Sequence, residues 1–156
     1  MKAIIVGALA ISALTSPAAA AETIYYGSRV GMEVTVTSKS GIGSENAVIR
    51  AAHTRENAKK FCLEYAQTDS EKCVRDELAV PLSNQITGNC KTGVFTTFNG
   101  QKLKFEGLNK PSDQMFAKYK IIDLSSGKKL DGTEASGYPV DIADFIALCP
   151  GHATPE

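Results

Sequence analysis

The chain has 156 residues, with 17 basic and 17 acidic side chains, four cysteines and no tryptophan. That length allows one domain with one core. A net charge of zero lacks the clustered positive field that a nucleic acid or a polybasic membrane surface requires, so neither is expected as a partner.

The N-terminus has the parts of a cleavable export signal. Met1-Lys2 is a short basic start, 3–14 is an apolar run, and Ser16-Pro17 leads into the small residues Ala18 to Ala21. The run is shorter than the ~20 residues that span a bilayer, and no transmembrane anchor is expected elsewhere. Cleavage after Ala20 or Ala21 makes 1–21 the signal and 22–156 a single exported globular domain with a frayed C-terminal end. Its charges are then 16 basic against 17 acidic. The expected location is periplasmic or secreted, and the style of the signal suggests a bacterium.

An even cysteine count in an exported chain reads as disulfides. The spacing contains no C-x-x-C pair and no histidine near a cysteine cluster, which disfavours zinc. Cys62–Cys73 with Cys90–Cys149 is the preferred pairing of the three that four cysteines allow.

In chain order, 23–26 is short and β-prone. Met32, Val34 and Val36 then alternate with Glu33, Thr35 and Thr37, as in a half-buried strand. The loop 38–46 leads to a second β-like run, 47–52, completing a hairpin. Its Gly41-Ile42-Gly43 precedes a strand and not a helix, which removes the reason to read it as a phosphate cradle. Thr54 caps a helix over 54–67 whose Ala58, Phe61, Cys62, Tyr65 and Ala66 share one stripe. A Thr68/Glu71 capping box starts a second helix over 68–78, and Pro81 stops it.

Val94–Phe98 and Gln101–Phe105 flank Asn99-Gly100, a strong hairpin signal. A two-residue turn would pair Phe98 with Gln101, Thr96 with Leu103 and Val94 with Phe105. Tyr119–Leu124 reads as another strand, turned by 125–128. Pro139 opens a last helix carrying Ile142, Phe145, Ile146 and Cys149 on one face, and Pro150-Gly151 ends it. The expected fold class is α+β: a small disulfide-stabilised domain of antiparallel hairpins, with two short helices after the first hairpin and one C-terminal helix.

Chemistry is harder to place. His53 stands where a strand meets a helix and could act as a general base, with Glu56 as its carboxylate partner. Asp76, Glu77, Glu33, Asp123, Asp131, Glu134, Asp141 and Asp144 supply carboxylates. Asp141 and Asp144, at a helix start, are explained by the helix dipole. The polar segment from Asp131 to Tyr138 is the best binding loop, with Asp131, Glu134 and Ser136 as its polar contacts and Tyr138 as an aromatic anchor at its tip. Its Ser136-Gly137-Tyr138 resembles, without the spacer residue, the Ser-Gly-x-Tyr loop that periplasmic lysozyme inhibitors insert into an enzyme cleft. The likeness covers three residues and assigns no family.

No cofactor or metal motif is present in the sequence. The leading expectation is a non-catalytic binding protein engaging a protein or envelope component, an inhibitor or immunity-type role being one version. The alternative is a small periplasmic hydrolase using His53 with a carboxylate.

Overall fold

In the computed structural model, residues 21–110 and 116–155 are described. The export signal expected over 1–21 lies outside them, apart from its last residue.

Among the described residues, seven strands form one antiparallel sheet in sequence order: β1 (Thr23–Tyr25), β2 (Glu33–Ser40), β3 (Ala47–Ala52), β4 (Gln85–Asn89), β5 (Val94–Thr96), β6 (Lys102–Leu108) and β7 (Tyr119–Asp123). Helices α1 (Arg55–Glu64) and α2 (Glu71–Leu78) are inserted between the neighbours β3 and β4, and α3 (Tyr138–Leu148) closes the chain. This is the expected α+β class, with both expected disulfides: Cys62–Cys73 and Cys90–Cys149. Among the described residues, no helix is long and apolar enough to cross a membrane.

The sheet curls around α3, which touches both edge strands, β1 and β7, as well as β3 and β4. Ile49, Ile86, Phe95, Leu103 and Ile121 from the sheet meet Phe145 and Leu148 from the helix in the main core. Side chains of this size each contribute roughly 1.5–3 kcal/mol on full burial. A second, smaller cluster of Ala58, Cys62 and Val74 joins α1 to α2.

Helix α1 covers the far face of β2, so the alternation expected there is incomplete. Glu33, assigned to the wet face, is 4 % exposed, and both its carboxylate oxygens accept from Lys60 Nζ at 3.0 Å. Thr54 caps α1 as expected, in a reciprocal box with Asn57.

The expected Thr68/Glu71 box does not form. The chain turns through Gln67 (φ 52°) after α1, so α2 starts only at Glu71, and Ser70 Oγ accepts from Cys73 N–H.

The hairpin at Asn99-Gly100 is shifted by one residue from its expected register. Thr97 N–H donates to Gln101 O, Gly100 N–H donates to Thr97 O, and Gly100 is left-handed (φ 78°). These are the marks of a three-residue loop over 98–100 closed by a glycine that no other residue replaces without strain. Val94 therefore pairs with Lys104, and Phe95 with Leu103. Phe95 and Leu103 fill the core, while Val94 is only half-buried.

β4 lies outside the strands expected from the sequence: it carries one apolar side chain, Ile86, and owes its existence to β3 and β5 on either side.

Candidate functional site

The Asp131–Tyr138 segment is not a free loop. Asp131 Oδ1 accepts from Thr133 N–H (2.9 Å) and Thr133 Oγ–H (2.7 Å), an exposed local turn whose hydrogen bonds hold the carboxyl below its ordinary range. Gly132 (φ 88°) lies so close to Ala117 that an added Cβ would stand 2.3 Å from its nitrogen. A single 3-10 turn, Glu134–Ser136, then leads into α3, with Ser136 Oγ donating to Thr133 O.

Tyr138 overturns one expectation. It does not project from a loop tip but is fully buried in the first turn of α3, where its hydroxyl accepts from Tyr119 N–H at 2.9 Å. The sequence placed it beside the helix start at Pro139. In the fold it belongs to the buried stripe, three residues before Asp141 and seven before Phe145.

Glu134 and Ser136 instead border a cleft of about 320 Å³, formed where three turns converge. The β1–β2 turn brings Arg29, the 98–100 hairpin and its flank bring Asn99 and Gln101, and the start of α3 brings Asp141. Asn99 Nδ2 donates to Tyr26 O at 2.8 Å and fastens two of these turns together. The Arg29 guanidinium lies 4.8 Å above the centre of the Tyr65 ring, at the rim.

Asp141 is the unusual member. It is 4 % exposed, and its Oδ2 has no hydrogen-bond partner. Burial, with a smaller push from the charge of Asp123, raises its carboxyl to about 7. Asp144, one turn along and 1 % exposed, has neither oxygen bonded, and burial with the neighbouring Asp141 pushes it well above the carboxylate range. The dipole explanation holds these two as solvated acids, which the fold contradicts. Helical phase carried the signal: Asp141 is four residues before Phe145 and Asp144 four before Leu148, both core positions.

His53 acquires a different carboxylate from the one expected. Glu56 is exposed, and hydrogen bonds to its backbone and to Thr54 keep its carboxyl low. Glu77, from α2, lies with Oε1 3.8 Å from His53 Nε2 and accepts a hydrogen bond from the Tyr26 hydroxyl. The Tyr26 and His53 rings meet edge-on at 5.3 Å. Both His53 nitrogens are buried and lack hydrogen-bond partners. Burial lowers His53 and raises Glu77, so the charged form of each is disfavoured and an ion pair between them is weakened.

The remaining carboxylates have local partners. Lys72 engages Asp76 at 2.6 Å, and Asp123 accepts from Ser125 and Ser126. Among the described residues, no cluster of three or more His, Cys, Asp or Glu could hold a metal ion. In comparisons with known proteins, no family, no curated protein and no solved structure matches this chain.

Proposed function

We propose that this is an exported, non-catalytic binding protein that engages a protein or envelope component in the periplasm or outside the cell. The cleft bounded by Glu134, Ser136, Asn99 and Arg29 carries this reading. It gathers polar groups from three separate turns on a scaffold held by two disulfides, and turns fixed to a rigid frame are where binding residues concentrate. An inhibitor or immunity-type role is the version that best suits a small, stapled domain.

Export predicts that the chain recovered from an envelope fraction has lost 20 or 21 residues, read by intact mass. Binding predicts that the tagged chain captures a discrete partner from envelope extract, and that Glu134→Lys together with Ser136→Lys removes it. Glu134 is exposed, whereas Ser136 is half-buried and donates to Thr133 O, so the single Glu134→Lys variant and a circular-dichroism melt control for folding. Capture that survives both substitutions would move the interface elsewhere.

The alternative, a hydrolase using His53, has the 3.8 Å approach of Glu77 in its favour. The burial of both imidazole nitrogens weighs against it, because a general base must reach a substrate proton within hydrogen-bond distance.

A further inference from the structure

The cleft at the start of α3 carries more acidic than basic side chains. Asn99 donates one N–H to Tyr26 O, and its amide oxygen is free to accept. Glu134 and Asp141 add carboxyl groups. The one cation at the rim, Arg29, is turned onto the Tyr65 ring.

A helix N-terminus ordinarily attracts an anion, but here that place is filled from within. Val140 and Asp141 N–H groups both donate to Gly137 O. A side chain added at Gly137 would begin 3.4 Å from Asp141 Oδ2, so the helix already carries its own carboxylate at this end. Asp141 is more than nine-tenths buried, lines the cleft, and has an oxygen without a partner. An unpaired buried carboxylate is costly, and a charge-assisted hydrogen bond from a cation relieves that cost. Met32 and Val140 line the same cleft and offer an apolar wall for an aliphatic stem.

We propose that the cleft receives a basic side chain, lysine or arginine, of a partner protein, with its cationic head against Asp141 and Glu134 and its stem along Met32 and Val140. This rests on the binding reading and names what the partner presents.

The charged and titratable groups around the site are Asp144 on the same helix, Glu134 on the 3-10 turn, Arg29 on the β1–β2 turn and Asp123 at the end of β7. A cation binds the ionised form of Asp141, so occupancy displaces its proton. With that carboxyl near 7, the ionised share rises about tenfold between pH 6 and pH 8, and affinity rises with it.

The test is an NMR titration of the full chain with four probes: acetyl-Gly-Arg-Gly-amide, acetyl-Gly-Lys-Gly-amide, acetyl-Gly-Glu-Gly-amide and putrescine. The two basic peptides should shift the amides of Ser136, Gly137 and Asp141 with dissociation constants on the order of millimolar, about tenfold tighter at pH 8 than at pH 6. Asp141→Asn should weaken them at least tenfold and abolish the pH dependence, and the surface change Glu134→Gln should weaken them a few-fold. The glutamate peptide should leave the cleft unmoved.

Equal shifts from the glutamate peptide, no shift from either basic peptide, or unchanged binding by Asp141→Asn would overturn the proposal. So would putrescine binding far more tightly than the peptides, which would make the ligand a free amine. Partner capture from envelope extract separates the two levels. A partner retained by Asp141→Asn and Glu134→Gln refutes the basic side chain while leaving the binding reading standing, and no partner with the native chain refutes the reading itself.

Discussion

The Oδ2 atom of Asp141 lies 3.4 Å from the point where a side chain at Gly137 would begin, closing the start of α3 with a buried acid. Its folded-state value of about 7 stands above the ordinary 3.8. The folded chain therefore holds a proton that the unfolded chain releases, and stability falls as pH rises through that window. Asp144 and Glu77, both raised, act in the same direction. His53, lowered, acts in the opposite one below about 6.5, but is one group against three. Urea unfolding should show higher stability near pH 5 than near pH 8. Asp141→Asn should flatten the slope and add up to about 4 kcal/mol at the upper end, the equivalent of roughly three pH units.

The two disulfides should contribute unequally. Cys62–Cys73 closes a short loop, with a sequence separation of 11, and Cys90–Cys149 a long one, with a separation of 59. Loop entropy gives about 3 and 4 kcal/mol respectively. Replacing each pair with alanine and comparing denaturation midpoints would check the order. The second pair should also loosen α3, because Cys149 ends it.

Tyr138 should be a stability residue. Tyr138→Phe leaves Tyr119 N–H without its acceptor and should cost about 1–2 kcal/mol, while Tyr138→Ala empties a fully buried site and should cost about 3–5 kcal/mol. Partner capture by the folded Tyr138→Phe protein should be unchanged. A large loss of capture at full folding would return this tyrosine to the interface.

His53 should titrate below 6.5 in an NMR pH series, since burial disfavours its charged form. His53→Gln should retain partner capture. A hydrolytic activity abolished by His53→Gln at native stability would favour catalysis over binding.

Much of the architecture was legible because helix capping, apolar periodicity and the even cysteine count agreed. Thr54 marked a helix start, the apolar stripe placed Cys62 inward, and neighbouring helices made Cys73 its nearest candidate. The hairpin register failed by one residue because Asn99-Gly100 suits two loop lengths, and the one observed has Phe98 buried within the loop. β4 failed because its stability is borrowed: Thr87 bonds Thr96, and Gly88 packs beneath Leu148. Glu134 and Ser136, expected in the 131–138 loop, border the cleft. The approach of Arg29, Asn99, Gln101 and Asp141 to them was not legible, since it depends on three turns far apart in sequence.

The sheet's sequential order has a kinetic consequence. Every strand pairs with its neighbour in the chain, so apart from β3 and β4, which α1 and α2 separate, the ladder can assemble through short-range steps. Its apolar face nonetheless waits for α3, the last element, to cover it. Cys62–Cys73, within the two inserted helices, can therefore form early, whereas Cys90–Cys149 must await that final docking. The cleft beside Asp141 shares the same deadline, since the start of α3 forms one of its walls, so a refolding intermediate with only the first bridge would lack it.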